Sequence, residues 1–172
     1  MTESASRNPF FTNILGSVNP GDGHFIWQAK SQTVPMLENI QLPVILTKVN
    51  ERHVNAIDEA IAQFLKLGDF ARDEAGRSVH ADFLKLTAAP AHLTGDAMSR
   101  LAIERPDDVW QHLRPQSLWL TAERYEGEET IYIAIHCDCD WDPEDGIQLV
   151  YREGKLLTRV SEQDGEVEIE AF

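Results

Sequence analysis

Thr130–Ser161, TIYIAIHCDCDWDPEDGIQLVYREGKLLTRVS, is the stretch that decides the fold. Successive residues of a strand point to opposite faces of a sheet. From Thr130 onward the odd positions are Ile131, Ile133, Ile135, Cys137, Cys139 and Trp141. The even positions are Thr130, Tyr132, Ala134, His136, Asp138 and Asp140. The odd set is apolar throughout, so it forms the core face and the even set faces outward. Further on, Glu153-Gly154 reads as a hairpin turn. It pairs Tyr151 with Leu156, Leu149 with Thr158 and Ile147 with Val160. Matching Cys139 to Ile147 and Cys137 to Leu149 keeps the same face inward and leaves Asp140–Gly146 as a loop. The stretch therefore predicts an antiparallel meander of three strands with an acidic loop between the first two.

This parity divides the eye-catching His-Cys-Asp-Cys-Asp run. Cys137 and Cys139 fall on the isoleucine side and read as small buried hydrophobes. A closed zinc site needs four ligands at compact spacing, whereas His24, His53, His80, His92 and His112 are scattered singly. His136, Asp138 and Asp140 share the outward face and are the candidate divalent-cation ligands. Five carboxylates, Asp138, Asp140, Asp142, Glu144 and Asp145, repel one another unless a cation or basic partner is near. Asp140, Trp141, Asp142, Glu144 and Asp145 are accordingly the candidate partner-binding residues. The same segment also reads as a solvated turn built by Asp142 and Pro143. An EF-hand is excluded: its sixth position holds Pro143 instead of Gly and its twelfth Leu149 instead of Glu.

Upstream, Ser117–Arg124 predicts another strand, with a turn at Glu126-Gly127. Nearer the start, Phe10–Val18 predicts a strand, Asn19–Gly23 a turn, and His24–Ala29 a second strand with Phe25 and Trp27 on one face. Gln41–Val49 predicts a third, with Pro43 at its start or on an edge. Asn50 is a good helix N-cap, and Val54, Ile57, Ile61, Phe64 and Leu65 make an apolar stripe. Those signals predict a helix over Asn50–Leu67, stopped by Gly68. Phe70–Ser78 reads as a loop. Val79, Phe83, Leu84 and Leu86 suggest a short helix ending before Pro90, and Thr94–Ile103 another. Glu104–Asp108 starts a third, with Pro106 at its first turn, Val109, Trp110 and Leu113 on its apolar face and Pro115 as its stop. Trp110 reads as a core anchor. Met1–Asn8 is polar and expected to fray. The tail, Glu162–Phe172, alternates acids with apolar residues, as a charged edge strand or a segment ordered by a basic partner would.

The 172 residues suit one domain, 1–172, large enough to bury a core without disulfides or a structural metal. The fold class expected is α+β: an antiparallel sheet with a C-terminal β-meander, packed against one long and two or three short helices. No apolar run spans a bilayer, no secretory signal is present, and two cysteines do not make a disulfide framework. A cytoplasmic location is the simplest expectation. The net charge is -14, and Asp138–Phe172 carries eleven acids against Arg152, Lys155 and Arg159. Such a surface repels nucleic acid and anionic lipid and favours cations or basic proteins. Hydrolase, zinc-protease, P-loop and dinucleotide motifs are absent from the sequence, and no cofactor is called for.

Cys139-Asp140-Trp141-Asp142-Pro143-Glu144-Asp145-Gly146-Ile147-Gln148-Leu149-Val150-Tyr151, with Asp164-Gly165 beyond it, resembles a stretch in an uncharacterised family of small bacterial cytoplasmic proteins. The family pattern is Cys-x-Trp-Glu-Pro-Glu-His-Gly-Leu-Gln-Leu-Val-Phe, then a basic hairpin turn and an Asp-Gly. The similarity covers about the last third to two-fifths of the chain, including Pro106–Pro115 and the strand after it. Asp145 stands where the pattern has His, so a His-based role does not carry over. The resemblance implies a link to immunity proteins that neutralise bacterial toxins.

Two functions follow as expectations. The first is a non-enzymatic interaction protein that engages a basic partner, including a toxin, through its acidic loop and tail. The second is a divalent-cation protein or metal-dependent hydrolase using His136, Asp138 and Asp140. A third reading leaves the acidic loop as a solubilising turn and places function around Trp27 or Trp119.

Overall fold

The computed structural model describes residues 7–88 and 101–168 of the chain. Eight strands line up in chain order in one sheet: β1 (Phe10–Thr12), β2 (Gly16–Pro20), β3 (Ile26–Val34), β4 (Ile40–Thr47), β5 (Leu113–Tyr125), β6 (Glu128–Cys139), β7 (Asp142–Arg152) and β8 (Leu156–Ser161). Neighbours are antiparallel except β4 and β5, which run parallel with Val44 opposite Leu118 and Leu46 opposite Leu120. Antiparallel strands need only a turn between them, whereas a parallel pair needs a long crossover. That crossover holds α1 (Val54–Phe64), α2 (Asp69–Ala88) and a 3-10 turn at Pro106–Gln111. The α+β class and the C-terminal meander are as expected. No helix among the described residues is long and apolar enough to cross a membrane.

The parity rule holds through the organising stretch. Ile131, Ile133, Ile135, Cys137 and Cys139 are all buried in one core cluster with Leu118, Leu120, Leu149 and Tyr151. Ile57, Ala60, Ile61 and Phe64 of α1 and Ala75, Val79 and Phe83 of α2 close that core from the helical side. The expected helix Asn50–Leu67 is shorter, Val54–Phe64, and Asn50 caps the 3-10 turn Glu51–His53 that leads into it. The Asn50 side chain accepts from Arg52 N at 3.1 Å, and His53 Nδ1 accepts from Asn50 N at 3.0 Å. These bonds satisfy donors that a helix start leaves orphaned.

Several expected elements differ. Phe70–Ser78 is no loop: it lies in α2, the longest helix. The buried face of α2 is Ala71, Ala75, Gly76, Val79 and Phe83, a helical stripe written mostly in small residues. Gly68 links the two helices, its carbonyl accepting from Arg72 N at 3.1 Å. Thr94–Ile103 falls mostly outside the described residues. The third expected helix is the 3-10 turn, and Leu113 and Pro115 belong to β5, with a register irregularity beside Pro115. Phe10–Val18 divides into β1 and β2, because Asp58 of α1 accepts from Asn13 N and Ile14 N and holds a turn there. Phe25 is 77% exposed while Trp27 is 8% exposed, so they do not share a buried face. Pro43 is on an interior strand, where β3–β4 pairing is irregular and the parallel ladder starts only at Val44. Arg7 is ordered rather than frayed, bonding Ile26 O at 3.2 Å and standing 5.3 Å above the Trp27 ring.

Within the meander both connections fall where expected but are resized, to Asp140–Trp141 and to Glu153–Lys155, and the registers shift. Ile135 faces Leu149 and Cys137 faces Ile147, two residues from the expected match, which keeps the same face inward. In the last hairpin Leu149 faces Val160 and Tyr151 faces Leu157. The shift comes from Thr158, which bulges so that its hydroxyl donates to Val150 O at 3.3 Å and Val167 O at 2.8 Å.

The Glu153-Gly154 turn seats this hairpin on α1. Gly154 has φ +70, and a Cβ there would penetrate the backbone carbonyl of Ala60. Gly127 in the β5–β6 turn has φ +89 but nothing within 4 Å of a built Cβ. Gly127→Ala is therefore expected to cost about 1–2 kcal/mol of left-handed strain. Gly154→Ala adds an overpacking penalty of about 1–3 kcal/mol to that strain. Urea unfolding of the two variants checks this; equal losses would contradict the close approach to α1.

Candidate functional site

Of the predicted cation ligands, His136 and Asp138 lie on the outward face of β6 and Asp140 in the turn after it, and each is engaged separately. His136 stacks on Trp119 of β5, with ring centroids 5.1 Å apart and planes 16° from parallel. Burial there pushes the imidazole pKa down to about 4, so the ring is neutral at ordinary pH. Asp138 is exposed and accepts from Gln116 Nε2 at 3.0 Å. Asp140 accepts from Arg114 Nη1 at 2.6 Å and from His112 Nδ1 at 2.9 Å. The Arg114 hydrogen bond, then that of His112, holds the Asp140 carboxyl below the usual carboxylate range.

His136, Asp138 and Asp140 do not converge as a ligand set. Alternate residues of a strand stand roughly 7 Å apart, while ligands of one metal must all reach within about 2–2.6 Å of it. Shared parity sets a face and does not bring side chains together.

The acidic segment is also reshaped. Its turn is only Asp140–Trp141, and Asp142–Gly146 is already part of β7. Residues Pro143–Gly146 bulge past a single β6 position, because Cys139 faces Asp142 and Cys137 faces Ile147. Gly146 permits this with φ +65; a Cβ there would lie 2.5 Å from Cys137 O. Of the predicted partner-binding residues, Trp141 is buried, edge-on to Phe83 of α2 at 5.3 Å. Its odd parity sends it into the core, so it offers no side chain to a partner. Asp140 is committed to Arg114 and His112. Asp142 is half-buried and accepts from Asp145 N at 3.2 Å, while Glu144 and Asp145 are exposed.

Three acids outside the predicted set complete this end of the molecule. Glu162, just past β8, comes beside Asp142 and Asp145, with one carboxylate oxygen of each within 4.8 Å of the others. Asp164 follows it, bonded to Arg159. Asp82 reaches in from α2, where burial raises its pKa. A cleft of about 310 Å³ lies between them, with Leu86, Trp141 and Ile147 in its walls. The richness of the tail in acids signals Glu162; no local pattern signals Asp82, which falls in the expected short helix around Val79–Leu86 with nothing there to show that it meets the β7–β8 end. Among the described residues, Asp138, Asp142, Glu144, Asp145 and Glu162 take part in no ion pair.

The tail adds no ninth strand as far as Glu168. It crosses the outward face of the meander instead. Gln148 Nε2 donates to Asp164 Oδ1 at 2.9 Å and Glu166 O at 2.8 Å. Glu168 accepts from Tyr132 OH at 2.7 Å and Arg152 Nη1 at 2.9 Å, and Val167 packs on Tyr132, Ala134 and Val150. Residues 169–172 lie outside the description.

The family model for DUF6985, a domain of unknown function, matches residues 14–167. The chain belongs to this family. No curated protein and no solved structure matches it. The DUF6985 match takes in all strands from β2 to β8, both helices and most of the strap over the outward face.

Two predictions follow from burial in this DUF6985 chain. Desolvation raises the Cys139 thiol to about 11 and pushes the Cys137 thiol higher still. Neither thiol should react with a disulfide reagent at neutral pH in the native protein, and both should react in denaturant. A fast native reaction would place a cysteine at the surface. For His136, the folded pKa of about 4 lies below the roughly 6.5 of an unfolded chain. The unfolded chain then takes up the proton first, so stability is full above about pH 6.5 and falls as pH drops toward 4. His136→Gln should fall less over that window than wild type in denaturant titrations, and an imidazole NMR titration near 6.5 would refute the stacked, desolvated ring.

Proposed function

We propose that this DUF6985 protein is a non-enzymatic cytoplasmic interaction protein that holds a basic protein partner at the β6–β7 end of its sheet. The observation that carries this is the set of carboxylates Asp138, Asp142, Glu144, Asp145 and Glu162, which have no ion-pair partner among the described residues. Such a cluster costs self-repulsion in the free protein and gains when a cationic surface arrives. The Trp119-stacked His136 and the buried thiols are occupied in packing, which supports binding over acid–base or nucleophilic chemistry at this end. Neutralising a toxin fits the same chemistry: an acidic surface imitates a phosphate backbone and occupies a basic nucleic-acid-binding groove. The resemblance of residues 139–151 to an immunity-linked family supports that form of the function.

The test is retention of a partner on the immobilised full chain at ~50 mM and ~500 mM salt, where screening differs severalfold. A basic protein should be held at low salt and released at high salt. The quadruple variant Asp142→Asn, Glu144→Gln, Asp145→Asn, Glu162→Gln should bind it at least about tenfold more weakly, from several weak ion pairs lost together. Equal retention by the variant, or no retention at low salt, sinks the proposal.

A further inference from the structure

The outward face of the meander is closed by a short segment held in an unusual way. Tyr132, Ala134 and Val150 are buried there, flanked by Trp119 and Tyr125 of β5. Among the described residues, Val167 is the apolar side chain that packs on them from outside the sheet. Its segment, Glu166–Glu168, is not a strand, and each bond tying it to the sheet involves a side chain. Gln148 Nε2 donates to Glu166 O, the Thr158 hydroxyl to Val167 O, and Arg159 Nη1 to Glu168 O at 3.1 Å. The Glu168 carboxylate accepts from Arg152 and from the Tyr132 hydroxyl.

These donors keep other partners when the segment lifts away. Gln148 retains Ser161 Oγ at 3.2 Å and Asp164 Oδ1 at 2.9 Å, and Thr158 retains Val150 O at 3.3 Å. Arg159 retains Asp164 and Ser161 Oγ, and Arg152 retains the face of the Tyr125 ring, 3.9 Å away. Among the described residues, only the Tyr132 hydroxyl loses its partner, and the same movement opens it to water. Breaking a hydrogen bond is expensive when it leaves a buried donor unpaired, and here that penalty is largely absent. Gly165, directly before the segment, has φ +80 and no atom within 4 Å of where a Cβ would lie, so the backbone can turn there without a clash. The part of the strap before Gly165 stays fastened, by Gln163 Nε2 to Cys137 O at 3.0 Å and by Asp164.

We propose that Glu166–Glu168 is a lid over the outward face, hinged at Gly165 and latched by the Glu168 carboxylate, that opens while the rest of the fold stays intact. Closed, it withholds Tyr132, Ala134 and Val150 from solvent. Open, it presents them between Trp119 and Tyr125 as an apolar patch on a strongly acidic protein.

The two faces of β6 supply the test. Ala134→Cys puts a thiol under the lid, while Cys137 and Cys139 on the helix-covered face are reached only when the core unfolds. The full chain is labelled with a disulfide reagent at neutral pH without denaturant, and the modified cysteines are assigned by peptide mass. The thiol at position 134 should react at least about a hundredfold faster than the other two, as a local opening does relative to global unfolding. Adding Glu168→Ala should speed it at least about tenfold, from the lost charge-assisted bonds, and leave Cys137 and Cys139 unchanged. Glu166→Ala removes a charge whose side chain is exposed and bonds nothing among the described residues, and should change the rate no more than about twofold. Val150→Cys repeats the measurement with a second reporter under the same lid. If all three thiols react at one rate, the segment opens only with the whole fold and the lid is overturned. If position 134 reacts fast and is indifferent to Glu168→Ala, Glu168 does not close the face, and the lid is overturned as well.

Discussion

A single sheet has two faces, and the helices of this protein cover one of them. Everything else about the molecule follows from that constraint. The face formed by Ile131, Ile133, Ile135 and their neighbours is sealed by α1 and α2. The opposite face of the meander carries Tyr132, Ala134 and Val150, which are also buried. Their cover is the strap that follows β8, fastened by polar side chains instead of a ladder. The amide of Gln148 and the Tyr132–Glu168–Arg152 group hold it, and Val167 supplies the apolar contact. The same strap carries Glu162 and Asp164 to the β6–β7 end, so covering the second face and assembling the acidic cleft are one structural act.

Charge is distributed by the same logic. Acids near the edges of the sheet are matched: Lys48 with Glu123, Arg52 with Glu129, Arg114 with Asp140 and Arg152 with Glu168. These ties are mostly exposed and contribute little individually to stability. They leave other acids without an ion pair among the described residues, at Asp142, Glu144, Asp145 and Glu162 and also at Glu59, Asp73, Glu126 and Glu128. A chain with a net charge of -14 has surplus acids in any case. What is particular to the β6–β7 end is the close approach of three of them, Asp142, Asp145 and Glu162, with one carboxylate oxygen of each within 4.8 Å of the others.

Side-chain parity was legible in the sequence because the period of a strand is two and the odd positions of β6 are unbroken by any polar residue. The start of the turn leading into α1, and α1 itself, were legible because Asn50 and the apolar stripe after it use ordinary signals. The long helix α2 was not, because its buried face is Ala71, Ala75 and Gly76, residues that score as neutral by hydrophobicity yet pack closely. The registers were two residues or fewer from correct, since bulges at Thr158 and Gly146 leave no mark in an alternating pattern. The candidate site suffered for a related reason. Parity put His136, Asp138 and Asp140 on one face, but it says nothing of the Trp119, Gln116 and Arg114 side chains on β5 that occupy them. It also placed Trp141 inside, which is where the structure has it, against Phe83. The approach of Glu162 and Asp82 depends on contacts distant in sequence that no local pattern encodes.

The parallel pairing of β4 with β5 has a consequence for how the chain is made. Strands β1 to β4 pair with their sequence neighbours and leave the ribosome first, so they can associate as soon as they emerge. The far edge of β4, with Val44, Ile45 and Leu46, then has no neighbour until the whole helical crossover and β5 have been synthesised. An apolar strand edge open for that long invites pairing with another nascent chain. Pro43 sits just before this segment and has no amide hydrogen to offer a partner there. It is paired in neither ladder, so its missing amide costs the finished sheet no bond while the open edge of β4 begins only at Val44.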